Sequence, residues 1–249
     1  SSTCTPHCKS HTVRWRDLSV AAAQLAEDSA DIMLRNVVSD AEVPMREVVA
    51  RGRPALVHFY KIATLANSAV PVIVPEKTTN SAIKVDVEAM LAAVTPKTRM
   101  VYIANPNNPT GVVVPAGDVK RLLDGLPSGL PVLVDEAYHH YVDDPRYATS
   151  LPYVLEGRPV IVTRTFSKIA ALAGMRLGYA VAAPAMIKQM RAYASSSINA
   201  LVKWGGAAAL TDTAHDAVIK RDTIALRQRT IAALRTLGYD SIPSETNFF

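Results

Sequence analysis

The stretch Arg99-Met-Val-Tyr-Ile-Ala-Asn-Pro-Asn-Asn-Pro-Thr-Gly111 decides the fold, because an unbroken apolar run leads directly into a rigid polar loop. Apolar runs without polar alternation are typical of parallel strands that are covered on both faces of the sheet. Three further apolar runs follow, at Pro131 to Val134, Pro159 to Thr163 and Arg176 to Ala182. Because helical patterns separate the runs, we expect an α/β protein, a three-layer sandwich around a mostly parallel sheet.

Hydrophobic spacing and capping residues predict the remaining elements and the domain organisation. Residues 1–56 form an N-terminal segment that is hard to interpret, residues 57–212 a large domain, and residues 213–249 a connecting helix and the start of an incomplete small α+β domain. We expect helices at Val20 to Leu34, His58 to Ala66, Asp86 to Val94, Asp118 to Leu126, Pro184 to Tyr193 and Ala214 to Leu237, and strands at Val70 to Pro75 and Tyr239 to Pro243.

Composition excludes several classes of protein. The chain has 249 residues, of which 49% are hydrophobic and 20% are charged, as in ordinary globular proteins. Its net charge is +5, but no block of five basic residues is present, so we expect no nucleic-acid partner. An anionic ligand explains the excess of positive charge equally well. No run of about 18 apolar residues is present, so we expect no membrane span.

The cysteines lie only near the amino terminus. Cys4, His7, Cys8 and His11 are four candidate metal ligands within a short segment, but zinc sites usually have a longer loop between ligand pairs. We therefore expect a flexible tail and no metal site. The body of the chain has no cysteine, which fits a reducing compartment and predicts a cytoplasmic protein.

Polar side chains follow two of the apolar runs. Asn108 lies in the polar loop from Asn105 to Gly111, which we call the Asn-Pro loop. Its side-chain amide can donate to an anionic ring oxygen, or the residue can serve only in a turn. Asp135 ends the second run, either as a helix cap or as a carboxylate that pairs with a protonated pyridine nitrogen. Tyr138 lies three residues further on. It either helps Asn108 to bind the ring oxygen or only packs in the protein interior.

The run Thr165-Phe-Ser-Lys-Ile-Ala-Ala-Leu-Ala-Gly-Met-Arg176 lies between an apolar strand and an Ala-rich stretch that we expect to be helical. Burial of Lys168 is costly unless its amine is paired or used, and a neutral amine is a nucleophile for an aldehyde. Thr165 and Ser167 supply hydroxyls, and Arg176 supplies a guanidinium, which are groups that bind phosphate.

These motifs together identify a resemblance. Asn105 to Gly111, Asp135 to Tyr138, and Ser167 with Lys168 followed by Ala171 to Gly178 resemble the fold-type I pyridoxal-phosphate aminotransferases, most closely the histidinol-phosphate aminotransferase group. The weaker string Pro243 to Phe249 also fits that group. The resemblance covers about residues 57 to 249.

The resemblance implies a role for each residue. Asn108 and Tyr138 would bind the ring hydroxyl of pyridoxal 5'-phosphate, and Asp135 its pyridine nitrogen. Lys168 would form the Schiff base and act as the catalytic acid–base, while Thr165, Ser167 and Arg176 would bind the phosphate. The implied reaction moves an amino group between an amino donor and a 2-oxo acid, in a homodimer.

The sequence also departs from this family. The Gly-Ser-rich phosphate turn is missing, with Val38 to Ala41 as the nearest string, and Val57 and His58 stand where a stacking aromatic is expected. The family's carboxylate-binding arginine would lie beyond Phe249. We therefore expect a truncated protein or one without full transaminase activity. Two alternative functions remain open. One is a degenerate protein that keeps the pyridoxal-phosphate fold and serves binding or assembly, and the other is a sister decarboxylase or lyase.

Overall fold

The computed structural model describes residues 46–51, 58–78, 82–192 and 197–249. Its central feature is a six-stranded sheet with the order β2-β1-β5-β6-β7-β8, beside a two-stranded hairpin of β3 and β4. The strands are β1 (Arg46–Arg51), β2 (Ala69–Val74), β3 (Lys77–Thr78), β4 (Ile83–Lys84), β5 (Thr98–Ala104), β6 (Val132–Asp135), β7 (Val160–Thr165) and β8 (Gly178–Val181).

Helices connect these strands and cover the sheet. Pro184 begins one helix at a position where its missing N–H has no cost, and the carboxylates of Asp86 and Asp212 cap two others. The helices are α1 (His58–Ala66), α2 (Val87–Ala92), α3 (Ala116–Gly125), α4 (Leu151–Leu155), α5 (Pro184–Arg191), α6 (Ala200–Ala209) and α7 (Thr213–Thr236).

The sheet has a hydrophobic core on each face, as the apolar runs predict. Successive residues of β5 alternate between the two cores, so Val101 and Ile103 contact one layer while Met100 and Tyr102 contact the other. The first core packs against α2, α3 and α4, and the second against α1 and α5. The predicted three-layer arrangement is therefore confirmed.

The strand register places the candidate site. In the six-stranded sheet, strands β1, β2, β5, β6 and β7 are parallel to one another, whereas β8 pairs with β7 in the antiparallel direction. Ala104 pairs with Asp135, and Asp135 pairs with Thr163, so the carboxyl ends of three central strands meet at one edge. Ligands of open α/β sheets bind at this edge.

Some of the predicted elements are wrong. Tyr239 to Pro243 forms no strand, because Gly238 ends α7 in the left-handed conformation and the segment finds no partner strand among the described residues. The Ala-rich stretch after Lys168 is not helical but contains a short 3₁₀ turn at Ala173–Met175. The stretch Val20 to Leu34 lies outside the described residues. Within the described parts, no helix is both long and apolar enough to cross a membrane.

Candidate active site

The Asn-Pro loop is held firmly at its base. The side chain of Asn105 is buried, accepts the N–H of Val114 at 2.8 Å and donates to the Val114 carbonyl at 3.1 Å. Asn107 donates to the Thr110 hydroxyl at 2.9 Å, so the turn between them is fixed from inside. Asn108 is exposed, and its amide nitrogen donates to the Tyr138 hydroxyl at 3.0 Å. The structure therefore brings Asn108 and Tyr138 together.

Asp135 ends β6 and is surrounded by hydrogen-bond donors. Its Oδ1 atom accepts the backbone N–H of Ala137 at 3.0 Å. Its Oδ2 atom accepts the hydroxyl of Tyr60 at 2.5 Å and, more weakly, that of Tyr102 at 3.4 Å. Withdrawal from water raises the pKa of the Asp135 carboxyl, and these donors oppose the increase by stabilising the anion.

Lys168 lies three residues beyond the end of β7 and is half-buried. Its Nζ atom is 5.4 Å from the centroid of the Tyr138 ring, a distance at which an ammonium is attracted to an aromatic face. The lysine is therefore not, as expected, at the buried end of the strand, but in the connection that follows it. The amine nevertheless faces the tyrosine that Asn108 contacts.

The hydroxyls near Lys168 have different surroundings. The Thr165 hydroxyl accepts the N–H of Ser167 at 3.0 Å and donates to the Leu177 carbonyl at 3.4 Å, so it shapes the turn itself. The Ser167 hydroxyl is buried, and within the described residues it has no hydrogen-bond partner. An orphaned buried hydroxyl is a group that a bound acceptor would satisfy.

Arg176 lies at the end of the 3₁₀ turn, in the left-handed conformation with φ at 51°. Its side chain is exposed, and Nη1 donates to the Ala173 carbonyl at 3.0 Å. β8 begins only at Gly178, two residues later than predicted. Gly178 pairs with Thr165, so Arg176 and the Ser167 hydroxyl lie on the same connection between β7 and β8.

Sequence reasoning missed the two tyrosines that contact Asp135. Tyr60 lies in the first turn of α1 and Tyr102 in the middle of β5, and their rings stack with centroids 3.4 Å apart. A buried tyrosine hydroxyl usually requires a partner, which was the available signal. The partner itself is 75 residues away from Tyr60 in the sequence, so no local pattern indicates it.

A buried ion pair supports the segment that follows Asp135. The Glu136 side chain is 1% exposed, and its Oε2 atom lies 2.7 Å from Nη2 of Arg164. The N–H of Ser150 donates to Oε1 at 2.6 Å, and the Thr149 hydroxyl donates to Oε2 at 2.8 Å. With its oxygens satisfied, this carboxylate anchors the backbone directly after Asp135.

The carboxyl-terminal segment returns to the site. Buried Arg227, on α7, donates to the Thr246 carbonyl at 2.6 Å, and the N–H of Glu245 donates to the Gly111 carbonyl at 2.8 Å. The ring of Phe248 meets the Tyr138 ring edge-on, with centroids 5.1 Å apart. The weak terminal motif thus contacts both the Asn-Pro loop and the tyrosine beside Lys168.

One group of predicted features falls on residues that the structure does not describe. Cys4, His7, Cys8, His11, Val38 to Ala41 and Val57 lie outside the described residues. Within the described ranges, no three His, Cys, Asp or Glu side chains gather in a way that would hold a metal ion.

Comparisons with known proteins identify the family of this chain. A family model described as aminotransferase class I and II matches residues 48–249. The histidinol-phosphate aminotransferase of Granulibacter bethesdensis is 40% identical over 173 residues, which are 69% of this chain and 47% of that protein. The aromatic amino acid aminotransferase of Mycolicibacterium smegmatis is 42% identical over 165 residues, 66% of this chain and 45% of that protein.

A solved structure has the same fold. The histidinol-phosphate aminotransferase of Sinorhizobium meliloti, in complex with pyridoxal 5'-phosphate, superposes with a TM-score of 0.78 over 93% of this chain and 64% of that chain, at 24% identity. The chain spans about half the length of the curated relatives it matches.

Proposed function

The chain belongs to the class I and II aminotransferase family, and from that membership we propose that it moves an amino group between an amino acid or an amino-acid-like phosphate and a 2-oxo acid. Pyridoxal 5'-phosphate is the cofactor. One observation carries the proposal: the Lys168 amine faces the Tyr138 ring at 5.4 Å, and the hydroxyl of that ring is already bonded to Asn108.

The residues present fit the cofactor. Its phosphate would satisfy the orphaned Ser167 hydroxyl, with Arg176 supplying charge on the same connection, while Thr165 shapes that turn. Asn108 and Tyr138 would bind the ring hydroxyl. The Asp135 carboxylate, whose two oxygens accept hydrogen bonds from Tyr60 and Ala137, would pair with the protonated ring nitrogen.

When bound, pyridoxal phosphate supplies a ring that withdraws electrons from the carbon next to the transferred amine. Lys168 would bind the cofactor aldehyde through its amine. Once the substrate has replaced it there, the same amine would move the proton at the substrate α-carbon. Tyr138 and Asn108 would keep the ring beside this amine and limit its rotation.

Two substrate classes have support from relatives. The Granulibacter bethesdensis protein, named for histidinol phosphate, favours a phosphorylated amino alcohol as donor. The Mycolicibacterium smegmatis protein, named for aromatic amino acids, is equally similar and favours an aromatic donor as the second candidate. We propose the histidinol-phosphate type first, because the name recurs among the relatives.

The proposal extends to assembly and location. Leu201 and Trp204 on α6 are 76% and 75% exposed, which is unusual for such large apolar side chains and suits a contact with a second copy of the chain. We propose a cytoplasmic homodimer with no nucleic-acid or membrane partner. Sedimentation of the wild type and of Trp204→Glu tests the dimer, which the substitution should dissociate.

Cofactor binding is the primary test. The purified chain is mixed with pyridoxal phosphate, reduced with borohydride and digested for mass spectrometry. We expect the cofactor to be attached at Lys168, and attachment to be lost in Lys168→Ala but retained in Lys188→Ala, an exposed lysine of α5. If no cofactor is attached at saturating concentration, the aminotransferase function is excluded, and the degenerate protein that serves only binding or assembly is favoured.

The amino donor is tested separately. Histidinol phosphate, phenylalanine and aspartate are each supplied with 2-oxoglutarate, and glutamate formation is measured. A preference for histidinol phosphate supports the first candidate, and a preference for phenylalanine supports the second. Loss of the donor's carboxylate as carbon dioxide would instead identify a decarboxylase.

A further inference from the structure

Two tyrosines reach the same oxygen of Asp135. The Tyr60 hydroxyl donates to Oδ2 at 2.5 Å and the Tyr102 hydroxyl to the same atom at 3.4 Å. The backbone N–H of Ala137 donates to Oδ1 at 3.0 Å. Because donors from three separate segments hold both oxygens, the carboxylate cannot rotate about its own axis without losing a hydrogen bond.

The tyrosine rings form a rigid support for these hydroxyls. They stack with centroids 3.4 Å apart and planes inclined by 29°. Tyr102 is 4% exposed, so its ring is fixed by the core, and the ring of Tyr60 lies on it. The position of the Tyr60 hydroxyl is therefore set by α1 and β5 together, before any ligand binds.

The two hydroxyls act as donors rather than as acceptors. Burial, with the Asp135 charge as an additional cause, raises the pKa of Tyr60 well above its usual value. Burial, with the neighbouring Tyr60 as the next cause, does the same to Tyr102. Both phenols therefore stay protonated and donate, and their hydrogen bonds oppose the increase that burial causes in the pKa of Asp135.

We propose that Tyr60, supported by Tyr102, is a positioning residue that holds the Asp135 carboxylate in place for the ring nitrogen of the cofactor. This inference rests on the proposed function, because it takes Asp135 as the partner of that nitrogen. Tyr60 itself need not touch the substrate or the reacting atoms, since it acts through Asp135.

Cofactor affinity with and without the ring nitrogen tests the proposal. The dissociation constants of pyridoxal phosphate, and of an analogue with C–H in place of the ring nitrogen, are measured by fluorescence titration for the wild type and Tyr60→Phe. Phenylalanine keeps the ring stack and removes only the hydroxyl. We expect about tenfold weaker binding of pyridoxal phosphate, the equivalent of one hydrogen bond to a charged group, and little change for the analogue.

Three further variants make the outcomes distinct. Tyr102→Phe should weaken binding less than Tyr60→Phe, because its contact is longer, and Tyr153→Phe on α4 should have no effect. Equal losses for both ligands in Tyr60→Phe, or no loss, would overturn the inference. If Asp135→Asn weakens pyridoxal phosphate binding while Tyr60→Phe does not, the proposed function survives and only this inference fails. If Asp135→Asn has no effect either, the assigned role of Asp135 fails too.

Discussion

The ring of Phe248 meets the ring of Tyr138 edge-on, with centroids 5.1 Å apart. Tyr138 belongs to the segment after β6, whereas Phe248 is the second-last residue of the chain. Arg227 holds the segment that carries Phe248 by donating to the Thr246 carbonyl at 2.6 Å. The packing of a proposed cofactor-binding tyrosine therefore depends on the last residues of the sequence.

Replacing Phe248 with Ala should weaken cofactor binding without abolishing it. The aromatic pair contributes roughly 0.5–1.5 kcal/mol, so the dissociation constant of pyridoxal phosphate should increase about two- to tenfold. Phe249→Ala removes the neighbouring and more exposed ring and is the matched control. An equal effect of the two substitutions would contradict a specific role for the Phe248–Tyr138 contact.

A second prediction concerns the stability cost of a side chain at Gly111, which lies close to Ser244. A Cβ atom at Gly111 would lie 2.1 Å from the Ser244 Oγ atom and 2.5 Å from its Cβ atom. Gly129→Ala is the matched control, because both glycines have positive φ, 69° and 80°, and only Gly129 has open space around it. Strain in φ costs about 1–2 kcal/mol at each position.

We therefore expect Gly111→Ala to lower the free energy of unfolding in urea by clearly more than Gly129→Ala. The additional loss comes from displacing the Ser244 backbone, and with it the hydrogen bond from Glu245 to the Gly111 carbonyl. Combining Gly111→Ala with Ser244→Gly should recover part of the loss. Equal destabilisation by the two alanine variants would mean that the terminal segment does not press on the loop.

A third prediction concerns the stability that is lost when the buried ion pair of Glu136 and Arg164 is broken. Arg164→Met leaves a carboxylate that is 1% exposed without its cation, and breaking such a pair costs about 3–5 kcal/mol of unfolding free energy. Arg146→Met breaks an exposed pair with Asp144 and should cost no more than about 1 kcal/mol. A small loss in Arg164→Met would mean that Glu136 is stabilised by its other donors alone.

How much of this molecule the sequence predicts depends on the range of the interactions. The apolar runs predict β5, β6 and β7, because a strand covered on both faces needs no polar alternation. Asp135 and the Asn-Pro loop are found for the same reason, since both follow such a run. The helix His58–Ala66 agrees with the structure residue for residue.

Other features depend on contacts between distant segments. Arg46–Arg51 has charged residues at its ends and was not predicted as a strand, yet it pairs with both β2 and β5 inside the sheet. The backbone hydrogen bonds that β1 forms with these two strands do not depend on the pattern of apolar and charged side chains along it. The pairing of Tyr60 with Asp135 spans 75 residues and is likewise invisible to local spacing. The domain boundary at residue 212 and the roles assigned to the site residues stay predictions.

The environment of His139 predicts how stability depends on pH. Burial, followed by the charges of Arg164, His140 and Lys220, lowers the pKa of His139 to about 3. Nδ1 of this histidine lies within hydrogen-bond distance of the Tyr147 hydroxyl, at 2.9 Å. The Glu136 carboxylate lies 4.0 Å from Nδ1, but it is already paired with Arg164. The folded protein therefore keeps His139 neutral.

The unfolded chain binds a proton at His139 below its ordinary pKa of about 6.5, whereas the folded protein does so only near pH 3. The contribution of a neutral His139 is therefore complete above pH 6.5 and is lost as the pH falls through this window, by up to about 1.4 kcal/mol per pH unit. Urea unfolding at several pH values between 4.5 and 7.5 checks this. His139→Gln keeps a hydrogen-bonding side chain beside Tyr147 and should flatten the slope. An unchanged slope would mean that His139 is protonated in the folded state.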